Sequence, residues 1–394
     1  MSTREVMVVA GARTAIGDYG GTLKDIAPTK LGAIAIREAV ARAKIEPASV
    51  GHVVMGSVIH GEARDMYLSR VAAIDAGLPV GTPCLTVNRL CGSGLQAIVS
   101  AAQHILLGDT DTVVAGGAES MSRAAYFLPA GRWGQRMGDG AVVDAMTGAL
   151  HDPFGHGHMG ITAENIAAKF GFTREQQDAF ALESHKRAAN ALDQGLFKDQ
   201  IVPVEIKSRK GTELVSLDEH VRKGLKIEDL QKLKAAFKKD GTVTAGNASG
   251  LNDAGAAIVM CSSDLSKRQN LKPIARLVAY AHAGVEPQVM GLGPIPAVKR
   301  IFEKTGLKPA DMDVVESNEA FAAQAMAVTK DLGLDPAKVN PNGGAVALGH
   351  PIGATGAILT VKALYELQRT QKRYALVTMC IGGGQGIAAI FERI

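Results

Sequence analysis

The sequence predicts an α/β protein made of two similar halves, with a long segment inserted into the first half. Short apolar runs alternate with amphipathic stretches at both ends of the 394-residue chain. This alternation is typical of strands and helices that form a sheet covered by helices on both faces. A strand–turn–helix–strand pattern occurs in each end region, and an irregular segment of about 130 residues separates the two regions.

The first end region contains four predicted strands and three predicted helices. Buried apolar runs predict strands at 6–10, 52–58, 85–87 and 112–115. Apolar residues at helical spacing predict helices at 31–43, 64–76 and 94–107. Because strands alternate with helices here, we expect a mostly parallel sheet.

The middle segment, 121–250, has a different texture. Residues 122–160 are rich in Gly, Arg, Met and His and show no clean period. Helices are predicted at 163–170 and 174–194, the second opened by a capping box of Thr173 and Gln176. Residues 205–245 are charged and are expected at the surface. An insertion of this length is typical of a functional lid or loop domain.

The α/β pattern resumes after residue 250. Strands are predicted at 256–261, 274–281, 313–316, 374–380 and 387–391, and helices at 295–305, 320–332 and 353–368.

A weak internal repeat links the two end regions. Val-Asn at 87–88 and at 339–340 each precedes a Gly-rich turn, a helix and a further strand. The repeat predicts two similar halves that face one another, with the turns containing Cys91 and His350 as counterparts. The alternative is that any two βαβ units look alike. We expect a first half at 1–120 plus 251–271, a loop domain at 121–250 and a second half at 272–394.

Composition excludes several classes of function. A formal net charge of +4 on so long a chain does not indicate nucleic-acid binding. The four cysteines form no CxxC pair and have no His at zinc-like spacing, so we expect no metal site. No secretion signal is recognisable, and no stretch approaches the ~18 apolar residues of a membrane span, so we expect a cytoplasmic protein without a membrane partner.

Cys91 lies in VNRLCGSG (87–94), a strand, a tight turn and the start of a helix. Backbone N–H groups and the positive end of the helix dipole favour a thiolate at such a position. The alternative is that a single Cys is a buried packing residue. Cys84 and Cys261 are interpreted in that second way, as core residues.

Three further motifs place reactive groups in Gly-rich turns. NGGAVALGHPIGATG (342–356) contains His350 directly before a Pro, near a helix start. CIGGGQG (380–386) sets Cys380 at a strand end, followed by backbone N–H groups free to face an oxyanion. SNEAF (317–321) places the Asn318 amide at a sheet edge, where ligands gather in open α/β sheets.

Together these four motifs resemble the thiolase family along the whole chain. GGAESM (116–121), HMG (158–160) and TAGNASGLND (244–253) fit the family as well. Within it, the chain is most similar to bacterial acetyl-CoA acetyltransferases, and more narrowly to broad-specificity β-ketothiolases of polyhydroxyalkanoate-making bacteria. The resemblance implies the thiolase fold, two βαβαβαββ halves in five αβαβα layers with an inserted loop domain.

The resemblance also implies the catalytic roles. Cys91 is the acylated nucleophile, His350 is the base that activates it, and Cys380 moves a second proton to or from the α-carbon of acetyl-CoA. Asn318 holds a water that forms one oxyanion hole with His350, and the backbone N–H groups of Cys91 and Gly382 form the other. A ping-pong reaction follows, because the acyl-enzyme forms before the second substrate binds.

Coenzyme A and acyl-CoA are substrates in this interpretation, and no bound cofactor or metal is expected. By resemblance, Arg222 meets the 3′-phosphate region, although its charged run alone favours a solvated surface. The remaining implied contacts, to pantetheine and along its tunnel, are Ser249, Ala245, Gly250, Leu150, His158, Met159, Phe237, Ala320 and Phe321. His151 and His156 have no family role to transfer. The family implies a homotetramer, a dimer of dimers, with 122–140 as the tetramer contact.

Two alternative functions remain open at this level. Ketoacyl synthases share the fold and condense by decarboxylation, but the second Cys at 380 and the run from Asn318 favour a thiolase. A nucleotide-binding module without catalysis is disfavoured, because no Walker Lys follows a Gly loop and no complete GxGxxG follows the first strand. The direction of the reaction and the acyl-chain length are left open.

Overall fold

The computed structural model describes residues 4–209 and 211–394. The strands are, in chain order, β1 Val6–Arg13, β2 Gly17–Asp18, β3 His52–Gly56, β4 Cys84–Val87, β5 Thr112–Ser120, β6 Tyr126–Phe127, β7 Val143–Asp144, β8 Val204–Ser208, β9 Gly211–Val215, β10 Asn252–Ser262, β11 Ala275–Gly284, β12 Val314–Ser317, β13 Tyr374–Ile381 and β14 Gln385–Arg393.

The helices are, in chain order, α1 Pro28–Ala43, α2 Leu68–Asp75, α3 Ser93–Leu107, α4 Ala145–Ala149, α5 Met159–Phe170, α6 Arg174–Asp193, α7 Ile227–Gln231, α8 Ser263–Arg268, α9 Pro294–Thr305, α10 Ala322–Asp331, α11 Ala345–Leu348 and α12 Ile352–Thr370. Short 3₁₀ turns occur at Pro47–Ser49, Ala63–Tyr67, Met121–Arg123, Pro287–Leu292 and Pro309–Asp311.

The two halves carry sheets with the same strand order and the same directions. The first sheet runs β4-β3-β5-β10-β1 and the second β12-β13-β14-β11. In the first sheet, β3 is parallel to β5, and the pairs β5–β10 and β10–β1 are antiparallel. In the second sheet, β12 is parallel to β13, and the pairs β13–β14 and β14–β11 are antiparallel. Val339 forms a parallel bridge with Val315 at the place that β4 occupies beside β3. This correspondence supports the internal repeat predicted from the sequence.

The sheets differ from the prediction in strand direction and in connection. Antiparallel pairings predominate, so the expectation of a mostly parallel sheet is wrong. One reason is local, because the turn at Gly382–Gly384 returns β14 directly along β13. The other is long-range, because β10 pairs with β5 across the whole inserted segment. The sheets also join edge to edge through two residue pairs between β1 and β11.

Five layers stack around two central helices, as the resemblance implies. α1 packs on one face of the first sheet, α9 packs on the far face of the second, and α3 and α12 lie against each other between the sheets. Glycines allow this close approach. A Cβ on Gly94 would lie 2.7 Å from the Ala357 nitrogen, and one on Gly356 would lie 2.2 Å from the Leu95 nitrogen. The predicted α/β fold in five layers is therefore confirmed.

Several local features refine the predicted elements. The predicted helix 64–76 is a 3₁₀ turn followed by α2, and the charged stretch 205–245 contains the β8–β9 hairpin and α7. The capping box of Thr173 and Gln176 is present at the start of α6. Cys261 is buried, whereas Cys84 is only partly buried because β4 lies at the edge of the sheet.

One segment is long and apolar enough to cross a membrane, contrary to the expectation that none approaches this length. It spans Leu90–Leu107, and 56% of it is buried inside the structure. Its helix, α3, packs on β3, β5 and α12, as expected for a core helix.

Candidate active site

A cavity of about 430 Å³ opens where the inserted segment meets the two halves. Three predicted catalytic positions, Cys91, His350 and Gly382, line it. Cys91 follows β4, Asn318 follows β12 and Cys380 lies near the end of β13. The carboxyl ends of strands in the two sheets therefore supply the reactive groups, which is where α/β sheets gather their ligands.

Cys91 lies in a tight, strained turn between β4 and α3. Leu90 has a φ of 42°, and its N–H donates to Asn88 Oδ1 at 3.0 Å. The Arg89 N–H donates to Ser93 Oγ at 2.9 Å, so the first helical residue closes the turn. A bulky residue at positive φ is uncommon and is found where a structure holds a side chain in place. The turn presents the Cys91 thiol to the cavity.

Burial of the Cys91 thiol opposes the thiolate that the N–H groups at this turn favour. Burial raises its pKa to about 11, although the N–H groups of Gly382 and of Cys91 itself act in the opposite direction. The thiolate must therefore form with the help of a base. The same two N–H groups can bind an oxyanion beside the sulfur.

His350 is held as the neutral tautomer that carries its hydrogen on Nδ1 and leaves Nε2 as an acceptor. Its backbone N–H donates to Asn252 Oδ1 at 2.9 Å, and its Nδ1 lies 2.7 Å from Thr355 Oγ1. Thr355 donates its own hydroxyl hydrogen to the Pro351 carbonyl at 2.9 Å, so it accepts from Nδ1–H. Burial lowers the pKa of His350 to about 4. The imidazole is thus unprotonated at neutral pH and can accept a proton at Nε2.

Asn318 faces that nitrogen from the end of β12. Its amide nitrogen lies 3.4 Å from His350 Nε2, and its backbone N–H donates to the Thr378 carbonyl at 3.0 Å. Asn318 Oδ1 is buried and has no hydrogen-bond partner among the described residues. A buried acceptor of this kind is suited to a water or a substrate group.

Cys380 lies beneath the cavity, close to Cys91. It is fully buried, and burial together with the nearby Cys91 raises the pKa of its thiol. A raised pKa keeps Cys380 protonated, so it can donate a proton to a carbanion. Gly382 follows in the β13–β14 turn, where a Cβ would lie 3.0 Å from Met159 Cε.

The ten positions predicted to contact coenzyme A all line this same cavity: Arg222, Ser249, Ala245, Gly250, Leu150, His158, Met159, Phe237, Ala320 and Phe321. Arg222 is exposed and marks the solvent end. Phe237 stacks on His158 with ring centroids 4.6 Å apart and meets Phe321 edge-on at 6.2 Å. The cavity thus passes from a cationic entrance along an aromatic wall to the thiol.

His151 and His156 lie in the loop before α5. His151 bonds the Thr147 carbonyl at 2.7 Å and meets the His158 ring edge-on. The His156 N–H donates to Asp152 at 3.3 Å. Their contacts organise the loop that carries His158. In the parts of the chain that the structure describes, no group of three or more His, Cys, Asp or Glu could hold a metal ion.

Sequence reasoning missed two groups at this site. His220 lines the cavity two residues before Arg222, and its place in that charged run is the signal that could have found it. Glu119 is fully buried in the GGAESM motif and accepts N–H groups from Val58 at 3.1 Å, Ile59 at 3.1 Å and Gly353 at 2.9 Å. Burial raises the pKa of Glu119 to about 8.

A comparison with known proteins agrees with the motifs. The profile of the thiolase N-terminal domain matches residues 6–264, and that of the thiolase C-terminal domain matches residues 271–393. The chain is 66% identical over 393 residues to the beta-ketothiolase BktB of Cupriavidus necator, with 100% of both chains covered. It is 49% identical over 391 residues to an acetyl-CoA acetyltransferase of Allochromatium vinosum, with 99% of both covered.

Solved structures agree as well. The structure of human mitochondrial 3-ketoacyl-CoA thiolase matches with a TM-score of 0.97 at 44% identity, covering 100% of both chains. The same enzyme in complex with CoA matches with a TM-score of 0.97 at 44% identity, covering 100% of this chain and 98% of that one.

Proposed function

Because the chain belongs to the thiolase family of acyltransferases, we propose that it forms and cleaves 3-ketoacyl-CoA through an acyl-Cys91 intermediate. The reaction is a reversible condensation of acetyl-CoA with acetyl-CoA or another short acyl-CoA, which releases CoA. The observation that carries the mechanism is that Cys91 and His350 line one cavity, while the buried Cys380 thiol lies close to Cys91.

In the cleavage direction, His350 Nε2 takes the Cys91 proton as the sulfur attacks the ketone carbon of the substrate. The raised pKa of Cys91 and the lowered pKa of His350 mean that both groups are neutral at rest. Proton transfer therefore accompanies attack, when the N–H groups of Cys91 and Gly382 stabilise the tetrahedral oxyanion. Collapse of that intermediate breaks the carbon–carbon bond and leaves the acyl group on sulfur.

The second product leaves as an enolate of acetyl-CoA. Asn318, through a bound water, and His350 stabilise the enolate oxygen, and the Cys380 thiol donates a proton to its α-carbon. CoA then enters and gives its thiol proton to Cys380, and its sulfur attacks the acyl group. The Cys91 sulfur leaves and recovers its proton from His350. Atoms and protons balance, and the steps read in reverse give condensation.

Coenzyme A binds along the cavity, with its 3′-phosphate region at Arg222 and its pantetheine between Ser249 and Phe321. The exposed guanidinium matches a phosphate group, and the apolar wall matches the pantetheine chain. No bound cofactor is required by this chemistry, because the two thiols and the imidazole supply every proton step.

The proposal includes the oligomeric state of the protein. Segment 122–140 exposes a cluster of apolar side chains, Tyr126, Phe127, Leu128, Trp133 and Met137. Apolar patches of this kind are typical of protein interfaces, which supports a homotetramer formed through this segment.

The four cysteines are free, which fits a reducing, cytoplasmic location. Similarity to BktB supports a role in supplying polyhydroxyalkanoate precursors, with tolerance of C4, C5 and C6 ketoacyl chains.

The test is CoA-dependent cleavage of acetoacetyl-CoA, 3-ketovaleryl-CoA and 3-ketohexanoyl-CoA. We expect the native protein to cleave all three, and the mass of the intact protein to increase by one acyl group when CoA is withheld. Cleavage of acetoacetyl-CoA alone would narrow the enzyme to that substrate. No cleavage of any, together with condensation that requires malonyl-CoA, would replace the proposal with a ketoacyl synthase.

A further inference from the structure

Three polar side chains, His220, Asp18 and Asn252, connect the loop that carries Arg222 to the backbone of His350. His220 Nδ1 hydrogen bonds to Asp18 Oδ1. Asn252 Nδ2 donates to that same carboxylate oxygen at 3.3 Å and to the Gly17 carbonyl at 3.0 Å. Asn252 Oδ1 accepts the His350 N–H at 2.9 Å. We call these three residues the His220–Asn252 bridge.

The geometry around Asn252 fixes its orientation. Both hydrogens of its amide nitrogen meet oxygen acceptors, and its oxygen meets a backbone donor, so a flipped amide would lose all three bonds. Two glycines make room for it. A Cβ on Gly349, at a φ of 102°, would lie 2.3 Å from Asn252 Cγ, and one on Gly250 would lie 2.6 Å from His220 Cε1. The bridge is therefore a built feature of the fold.

Polar contacts to the first half and to α6 hold the loop end of the bridge. Asp218 forms a fully buried ion pair with Arg13 at 2.7 Å. Glu219 accepts the Thr22 hydroxyl at 2.7 Å. The Arg222 N–H donates to His185 Nδ1 at 3.2 Å. A ligand that contacts Arg222 and the His220 ring therefore contacts a segment that is directly bonded to Asp18.

We propose that Asp18 and Asn252 are positioning residues that couple binding of the CoA nucleotide near Arg222 to the placement of the His350 imidazole. The inference rests on the proposed function, because it needs a nucleotide-bearing thioester in this cavity. Enzymes use binding energy from remote parts of a substrate to orient the reacting groups. When that energy no longer reaches the reacting groups, kcat falls. The bridge provides a physical route for that effect here.

The experiment compares acetoacetyl-CoA with acetoacetyl-pantetheine, which lacks the nucleotide, for the native protein and Asp18→Asn. The substitution keeps the shape and removes the charge that holds His220 and Asn252. We expect the kcat for acetoacetyl-CoA to fall about tenfold, and the kcat for acetoacetyl-pantetheine to stay within about twofold. An equal fall for both substrates, or no fall for either, would overturn the coupling.

Two more variants separate positioning from general damage. His220→Phe should reproduce the CoA-specific loss, whereas His220→Gln, which can still donate to Asp18, should recover most of the kcat. Asp25→Asn alters an exposed carboxylate paired with Lys24 on the nearby surface, and should leave both substrates unaffected. Similar losses in the Phe and Gln variants would contradict the bridge. If the native protein did not cleave acetoacetyl-CoA, the proposed function itself would be refuted, and this measurement alone would show it.

Discussion

The turn that carries Cys91 and the turn that carries His350 occupy equivalent places in the two halves, yet they are built differently. Each follows a strand position at the edge of its sheet and leads into a central helix, α3 or α12. The first turn is short, and Cys91 as a residue is only partly buried. The second contains the helix α11 and is almost entirely buried.

Polar contacts hold the longer turn. Asn340 donates to the Ser317 carbonyl and to Glu319, each at 2.8 Å, and accepts the Ser317 N–H at 3.0 Å. Lys362 reaches Glu316 at 2.8 Å and the Gly343 carbonyl at 2.7 Å. A nucleophile needs access and nearby N–H donors, whereas a base needs one fixed tautomer. The same topological position thus serves either role according to how its turn is anchored.

Removing the nucleophile tests the short turn most directly. Cys91→Ala should lower the rate of acetoacetyl-CoA cleavage by about 10⁴-fold or more, because Cys91 is the one thiol that lines the cavity among the described residues, and Cys380 is fully buried. Initial rates with saturating CoA measure the loss. Cys84→Ala is the matched control, since Cys84 is a free thiol on the preceding strand and should be dispensable. Full activity in Cys91→Ala would break the assignment of roles to the two turns.

A glycine substitution in each turn separates backbone strain from side-chain anchoring. Leu90 and Asn340 have similar positive φ values of 42° and 46°. Asn340→Gly should lower the free energy of unfolding by about 3 kcal/mol, because three buried hydrogen bonds are lost. Leu90→Gly should change it by less than about 1 kcal/mol, since relief of strain offsets lost packing. Urea unfolding of both variants checks this, and equal losses would contradict the distinction.

The hydroxyl behind the imidazole tests how the longer turn sets the tautomer. Thr355→Val removes the acceptor for His350 Nδ1–H and should lower kcat by about 30-fold. Thr355→Ser keeps the hydroxyl and should retain most of the activity. Rates with acetoacetyl-CoA, measured beside the unfolding midpoint of each variant, provide the check. If Ser and Val were equally impaired, Thr355 would act through packing alone.

Much of this comparison could be predicted from the sequence. The alternation of elements predicted the α/β fold, and the recurrence of Val-Asn predicted that the turns of Cys91 and His350 are counterparts. These signals are local, since a few neighbouring residues determine a strand end, a Gly-rich turn and a helix start. Of the five predicted catalytic positions, Cys91, His350 and Gly382 line one cavity, whereas Asn318 and Cys380 are fully buried and do not line it.

What the sequence did not predict depends on contacts between distant segments. The antiparallel pairing of β5 with β10 is decided only when the ends of the inserted segment meet. The pKa of Cys91 is set by burial from several elements, which outweighs the helix N-terminus that the local pattern emphasised. The sequence did not indicate Glu119 as a site residue, because its hydrogen-bond donors are distant in the chain. They are backbone N–H groups of the loop after β3 and of α12.

Glu119 accepts hydrogen bonds from both halves, and its burial between them should make the free energy of unfolding depend on pH. Burial raises the pKa of Glu119 from 4.5 to about 8. The folded state therefore keeps a proton that the unfolded state loses, so the stabilisation is complete below pH 4.5 and disappears as the pH rises through 8. In the native protein, the free energy of unfolding should fall across this window by at most about 1.4 kcal/mol per pH unit. Glu119→Gln cannot titrate, so this fall should be absent from the variant. Urea unfolding of native and variant protein at several pH values measures the two slopes. The exposed Glu303→Gln variant should keep the native slope, whereas an unchanged slope in Glu119→Gln would show that the carboxyl is ionised across this range and held by its three N–H donors.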